Sequence, residues 1–182
     1  MMGIFLKKLL LSLILCLLSF KSYALDVLPE YWVFWEHETH NYRAGVDRET
    51  YLSKPESLSI QKTLVNTHSG RKHNNGAGIY QIINLEKYVG KKIRFSAYVK
   101  TQNVTGYAYI YARSGKVYPS KGIRGTNDWM KLVLEFDIPE NHPGQSIHMA
   151  FSMFKKGRMW IDDIKWEVIG KAAPIFYEPI LE

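Results

Sequence analysis

The chain has 182 residues, of which 46% are hydrophobic and 23% charged, a size and balance typical of one globular domain. Its formal net charge is +7 and it has one cysteine, Cys16. Because Cys16 lies in an N-terminal apolar run, the rest of the chain has no thiol, which excludes disulfides and cysteine nucleophiles there.

Residues 1–24 predict a secretory signal peptide. Lys7 and Lys8 precede an apolar run over 9–20, and Ser22-Tyr23-Ala24 has the small residues that a signal peptidase requires. The run is too short to span a bilayer comfortably, although an uncleaved anchor is the alternative. We therefore expect a periplasmic or secreted protein that has no stable membrane insertion after cleavage.

Cleavage after residue 24 removes three lysines (Lys7, Lys8 and Lys21) and no acidic residue, which lowers the formal charge from +7 to +4. A mild excess of this kind, spread along the chain, favours solubility and is weak support for nucleic-acid binding. Export also argues against a nucleic-acid partner. We therefore predict none.

The remainder of the chain is predicted to consist of short strands separated by turns rich in Gly, Pro, Asn and Ser. The predicted strands cover 31–35, 57–63, 79–84, 91–101, 106–113, 129–138, 146–154 and 158–169. No window has a helical period, so the pattern indicates one all-β sandwich or barrel over 25–170. Residues 171–182, which include Pro174 and Pro179, predict an extended tail that packs on the sandwich.

The segments 91–101 and 106–113 carry the clearest alternation. In the first, Ile93, Phe95, Ala97 and Val99 share one face and Tyr98 lies on the other, and in the second the inward residues are Ala108, Ile110 and Ala112. Strand 146–154 places His148 and Ser152 opposite its own apolar face. A short polar turn is predicted between the two alternating segments.

Several segments, taken in order, resemble a known family. These are 42–48, 57–60, 90–101, 125–129 and 159–164, together with Gln81. The set resembles the galactose-binding-like jelly-roll domain found at the C-terminal end of some bacterial AraC-type transcriptional regulators and as free-standing proteins, and its architecture is similar to that of many carbohydrate-binding modules. The resemblance implies a non-catalytic jelly-roll sandwich of about eight to nine antiparallel strands.

Two departures from that family affect the function that the resemblance implies. The signal peptide and the lack of a helix-turn-helix segment indicate a free-standing exported protein, so a regulator's role does not transfer. The segment between Arg113 and Gly125 is shorter than the loop that the family has there. A ligand site built on that loop is therefore not expected.

The outward face of these strands is aromatic and basic, which favours ligand binding. Tyrosine rings stack on the C–H faces of sugars, and basic side chains donate hydrogen bonds to hydroxyls or carboxylates. The predicted ligand-binding residues are Tyr107, Tyr109, Tyr111, Arg113 and His148, together with Tyr98, which joins the row if the two alternating segments pair as a hairpin. The alternative is that the N-terminal segment or the tail covers this face, which makes the tyrosines packing residues.

Metal sites have weaker support. His37 and His40 are three residues apart after a strand, whereas a zincin motif needs them four apart on a helix. A loop metal site formed by these two residues and Glu36 stays an alternative to a solvated loop. By resemblance to jelly-roll carbohydrate-binding modules, Asp163 is a candidate ligand of a structural calcium, and a hydrogen-bonded aspartate at a strand end is the alternative.

Together these observations predict an exported, non-catalytic module that binds carbohydrate or another polar ligand through the aromatic-basic face. The alternative is a protein-interaction module of the cell envelope that has no small-molecule ligand. A hydrolase is a third class, but adjacent strand residues point to opposite faces, so Asp162 and Asp163 cannot serve together across one cleft. The sequence makes no prediction of the oligomeric state.

Overall fold

The computed structural model describes residues 25–37, 41–63 and 75–173. The predicted signal peptide (1–24) and most of the predicted tail (174–182) lie outside these residues. Within them the chain forms strands, turns and bends, with no helix that is long and apolar enough to cross a membrane. The prediction of an all-β fold is confirmed.

Nine strands form in the described residues, and every pairing between them is antiparallel. They are β1 (Val33–Glu36), β2 (Tyr42–Asp47), β3 (Ser57–Lys62), β4 (Gly76–Asn84), β5 (Lys91–Ser114), β6 (Lys116–Pro119), β7 (Ile123–Ile138), β8 (Ser146–Phe154) and β9 (Arg158–Lys171). The predicted number of eight to nine antiparallel strands is confirmed.

Strand β5 joins two packed layers. Its first part pairs with β7 and β9, and β9 continues to β3 and β2; we call this the back layer. Its last part pairs with β8 and β6, and β8 continues to β4 and β1; we call this the front layer. One strand path, β1-β4-β8-β5-β9-β3-β2, therefore folds over at β5 to form the sandwich.

The predicted turn near residue 103 does not form, which corrects the hairpin prediction. Lys91–Ser114 is one continuous strand, and its register with β7 shifts three times between Val99 and Ala108. Asn103 has a φ of 52°, and its backbone N–H donates to Thr126 Oγ1 at 3.0 Å. The polar residues that suggest a turn thus form a bulged region within the strand, where the strand passes from one layer to the other.

Two short strands, β2 and β6, were not predicted, and β7 and β9 extend beyond their predicted ends. In β2, Gly45 weakens the strand pattern, but a Cβ there would lie 2.0 Å from the backbone oxygen of Asp26. Residue 26 forms a β-bridge with Val46 at this point. The glycine is therefore required by the close approach of the N-terminal segment.

The core lies between the layers and contains the apolar faces that the alternation predicted. The inward residues of both parts of β5 have no exposed surface: Ile93, Phe95, Ala97, Val99, Ala108, Ile110 and Ala112. Phe95 in the back layer meets Phe151 of the front layer, with ring centroids 5.5 Å apart and planes 70° apart. Close packing of this kind fixes one layer relative to the other.

The carboxylate of Asp47, at the end of β2, is buried in the back layer. Its Oδ2 accepts hydrogen bonds from Trp160 Nε1 at 2.7 Å and from Arg158 Nη2 at 2.6 Å. Burial raises the pKa of Asp47, but the bonds from Trp160 and from the backbone N–H groups of Thr50 and Glu49, with the Arg158 charge, together lower it below its ordinary value. The carboxylate thus ties β2 to β9.

Both aspartates of β9 accept hydrogen bonds, but Asp162 is the buried one that binds another segment of the fold. The buried Asp162 carboxylate accepts the backbone N–H groups of Leu52 and Ser53 at 2.7 and 2.9 Å, and so holds the segment between β2 and β3. Asp163 has a φ of 46° and its Oδ2 lies 2.9 Å from Lys165 Nζ. The adjacent carboxylates have different partners, and the positive φ of Asp163 lies at an irregularity in the pairing of β9 with β5.

Candidate functional site

A cleft of about 420 Å³ lies on the outer surface of the front layer. In the last part of β5 the small apolar residues point into the core, so the tyrosines between them point outward. The cleft is lined by Trp35, His37, Tyr80, Tyr109, Tyr111, Arg113, Val117, His148 and Ser152. Its size lies within the range of small-molecule sites in proteins.

Strand register arranges the lining into three rows that run across the layer, because directly opposed residues in antiparallel strands share a face. The rows are Trp35–Gly78–Ser152–Tyr109, then Tyr80–Ala150–Tyr111, then Ile82–His148–Arg113–Val117. The first two rows have small residues in the middle and rings at the ends. Because small residues lie between large rings, the outer surface of the front layer is concave here and has aromatic walls.

Gly78 provides the space for the first wall. A Cβ at this position would lie 2.6 Å from Trp35 Nε1, 2.8 Å from Ser152 Oγ and 2.4 Å from the backbone oxygen of Phe151. The indole of Trp35 therefore lies against the bare backbone of β4. Any larger residue at 78 must displace the indole or the strand.

The hydroxyl of Ser152 lies in the floor. The residue is 1% exposed, and its Oγ has no hydrogen-bond partner among the described residues. A buried hydroxyl without a partner costs about 1–3 kcal/mol, which a hydrogen-bond partner would recover. It is the polar group at the base of the cleft.

Tyr109 is fixed by neighbouring rings. It stacks on Phe154 with ring centroids 5.9 Å apart and planes 6° apart, and its centroid lies 5.7 Å from that of Tyr111. Phe154 in turn contacts Trp35 and His37. Burial raises the pKa of Tyr109, and the neighbouring Tyr111 raises it further, so the phenol stays protonated and can donate a hydrogen bond.

The other end of the cleft is more polar. Tyr80 and His148 stack with ring centroids 4.6 Å apart and planes 11° apart. Arg113 lies directly opposite His148 across the β5–β8 pair, and its side chain is exposed. Both ends of the cleft therefore have stacked rings, and this end adds the Arg113 guanidinium as a hydrogen-bond donor.

Four of the six predicted ligand-binding residues, Tyr109, Tyr111, Arg113 and His148, come together in the cleft. Tyr107 does not line it. Its ring is 47% exposed and packs under the Arg124 guanidinium, 3.8 Å from the ring centroid.

Tyr98 lies on the back layer, opposite Lys131 on β7 and Asp162 on β9. Its placement beside the tyrosine row was wrong, because β5 continues across the predicted turn and carries it into the other layer.

Sequence reasoning missed three aromatic members of the lining: Trp35, His37 and Tyr80. Tyr80 has a visible signal, since it alternates with the inward Ile79 in β4. No local pattern shows that β1 pairs with β4, so the two strands could not be joined to β5 from sequence. The described N-terminal segment contributes Trp35 to the wall and does not cover the face.

The predicted metal sites gain no support from the geometry. No group of three or more His, Cys, Asp or Glu side chains that could hold a metal ion occurs among residues 25–37, 41–63 and 75–173. His40 lies outside them, and the Glu36 carboxylate accepts the Tyr42 N–H at 3.1 Å. Lys165 already pairs with Asp163, which does not suit a calcium ligand. Both metal sites stay untested predictions.

No protein-family model matches the chain. A 152-residue stretch is 23% identical to the uncharacterised HTH-type transcriptional regulator YbfP of Bacillus subtilis, and it covers 79% of this chain and 49% of the regulator. The chain thus spans about half the length of that curated relative.

Solved structures share the architecture at low sequence identity. The xylan-binding CBM22-1 domain of Paenibacillus barcinonensis Xyn10C superposes with a TM-score of 0.51 at 16% identity, and covers 81% of this chain and 91% of that domain. TmCBM61, solved with β-1,4-galactotriose, gives 0.53 at 9% identity, with 76% and 89% coverage.

The chain has the fold of a carbohydrate-binding module. The jelly-roll, galactose-binding-like resemblance is therefore confirmed as a statement about the fold. The chain also superposes on part of the enzymatically active domain of tailspike protein 4 of bacteriophage CBA120. It gives a TM-score of 0.58 at 14% identity and covers 77% of this chain but only 20% of the tailspike chain.

Proposed function

We propose that the protein is an exported, non-catalytic module whose front-layer cleft binds carbohydrate. One observation carries this proposal. The rings of Trp35, Tyr109 and Tyr111 line the cleft, and the Ser152 hydroxyl, which has no partner among the described residues, lies at its base. Aromatic walls and a few convergent polar groups are what a small-molecule site needs. The low-identity fold neighbours support the same choice of ligand class.

The chemistry of a sugar matches this arrangement. A pyranose has apolar C–H faces that pack on tyrosine and tryptophan rings, and a rim of hydroxyls that donate and accept hydrogen bonds. Ser152 at the floor and Arg113 with His148 at one end supply polar partners for that rim. The rings are held by each other and by Phe154, so little ordering cost accompanies binding.

The described lining includes no carboxylate. Glycoside hydrolysis generally uses two carboxylates that face each other across the scissile bond. The adjacent pair Asp162 and Asp163 lies in the back layer, on β9, away from the cleft. This arrangement favours binding without catalysis.

A glycan panel tests the proposal. We expect purified protein to bind at least one β-linked oligosaccharide, with xylan and β-1,4-galactan fragments as first probes. Tyr109→Ala should lower the affinity at least about tenfold, or 1.4 kcal/mol. Tyr98→Ala is the matched control, because Tyr98 is a partly buried outward tyrosine of the same strand in the other layer. No binding across the panel would contradict the proposal and favour the protein-interaction alternative.

Export is a separate part of the proposal and has its own test. The full chain, expressed with its own N-terminus in a bacterium, should appear outside the cytoplasm with a mature N-terminus at Leu25, measured by intact mass. A full-length product in the cytoplasmic fraction would contradict export but not ligand binding.

A further inference from the structure

Among the described residues that line the cleft, the charged side chain is the cationic Arg113. Arg113 and two histidines, His37 and His148, line it, and the lining in the described residues includes no Asp or Glu. Sugars that carry only hydroxyls need both donors and acceptors from a protein, and acidic side chains commonly supply the acceptors. A site that offers a guanidinium without a carboxylate acceptor is complementary to an anion.

Arg113, like Arg43 and Arg124, has no acidic partner among the described residues, whereas the other described arginines are paired. Arg48 pairs with Asp26 and Glu56, and Arg94 with Glu135. Arg158 pairs with the buried Asp47. Arg113 lies instead beside Tyr111 on the same face, at the cleft's edge, opposite His148 and Val117. Its five N–H donors are thus directed to solvent or to a ligand.

The spacing along β5 suits a particular ligand shape. Residues two apart on a strand are separated by about 7 Å, so the Arg113 backbone lies about that far from the Tyr111 backbone on one face. At this spacing, a pyranose ring stacked on Tyr111 can place an exocyclic carboxylate at C5 within reach of the guanidinium. A planar carboxylate accepts two parallel hydrogen bonds from such a fork, which a hydroxymethyl group cannot do.

We propose that the cleft prefers acidic glycans, specifically chains of uronic acids, with Arg113 as the residue that recognises the sugar carboxylate. This inference rests on the proposed carbohydrate-binding function and adds the class of sugar. Tyr109 and Tyr111 supply the stacking surface above the floor that contains Ser152. The carboxylate is bound and not chemically changed.

The preference for acidic glycans can be tested with galacturonan oligosaccharides and their fully methyl-esterified counterparts. The two share the same sugar backbone and differ in charge. We expect the acidic form to bind at least about tenfold more tightly, and its affinity to fall as salt rises. Arg113→Gln should remove this difference. Arg124→Gln, which removes an arginine that packs on Tyr107 outside the cleft, should preserve it. Mannuronan against mannan oligosaccharides provides a second matched pair with a β-1,4 backbone.

The outcomes separate the two proposals. Equal binding of the acidic and neutral members of both pairs, still weakened by Tyr109→Ala, would overturn the uronic-acid inference and leave the carbohydrate-binding function intact. Loss of preference in Arg124→Gln as well as in Arg113→Gln would also overturn it, because general charge then explains the effect. No binding to any glycan would contradict both proposals. Preference abolished by Arg113→Gln alone supports the inference.

Discussion

The indole of Trp35 packs against Gly78, where a Cβ would lie only 2.6 Å from Trp35 Nε1. The indole can take this position because residue 78 has no side chain. We predict that Gly78→Ala destabilises the fold by about 1–3 kcal/mol and weakens glycan binding, because the methyl group also meets a backbone oxygen of β8 at 2.4 Å. Urea unfolding and titration measure the two effects.

Gly170→Ala is the matched control for this change. A Cβ at Gly170, in β9, has no heavy atom within 4 Å. The same substitution there should leave glycan affinity unchanged and should not lower stability. If Gly78→Ala and Gly170→Ala had the same stability and the same glycan affinity, Gly78 would not position Trp35.

Ser152→Ala should separate stability from binding. Removal of a buried hydroxyl without a partner should leave stability unchanged or raise it by up to about 1 kcal/mol, while the affinity for glycan falls. Ser96 in the back layer is buried and has no hydrogen-bond partner among the described residues either. Ser96→Ala should change stability by the same amount as Ser152→Ala and should leave the affinity for glycan unchanged. Full affinity in Ser152→Ala would exclude a ligand contact at the floor.

The alternation of β5 predicted its core face and three of the cleft residues, Tyr109, Tyr111 and Arg113, because period-two patterning is local. The same local reasoning failed at Asn103, where polar residues and a positive φ form a bulge within a strand. Trp35 and Tyr80 were missed for a different reason. They reach the site through the β1–β4 and β4–β8 pairings, which join segments far apart in sequence.

Asp47→Asn should cost roughly 3–5 kcal/mol near neutral pH, because it leaves the largely buried guanidinium of Arg158 without its carboxylate. The pKa of Asp47 is lowered in the folded state, so its contribution is present above the ordinary aspartate pKa and is lost as pH falls through the lowered folded pKa. Urea unfolding at a series of pH values from 7 downward checks this.

The difference in stability between wild type and Asp47→Asn should therefore narrow in acid. A constant difference down to about pH 3 would show that charge on Asp47 does not supply the stabilisation.

Asp162→Asn and Asp163→Asn should differ in their effect on stability. The first weakens the bonds that hold Leu52 and Ser53, and should cost about 1–3 kcal/mol. The second removes an exposed pair with Lys165 and should change stability by less than about 1 kcal/mol. Thermal or urea unfolding of both variants is the measurement, and a larger loss for Asp163→Asn would reverse the assignment of the structural aspartate.

The most direct measurement of the central claim is the affinity of Tyr111→Ala and Tyr107→Ala for the tightest-binding glycan, by calorimetric titration. Both tyrosines lie on the last part of β5, four residues apart, but only Tyr111 lines the cleft. We predict at least about a tenfold loss for Tyr111→Ala and affinity within about twofold of wild type for Tyr107→Ala. Equal losses, or a loss for Tyr107→Ala alone, would contradict a binding site in this cleft.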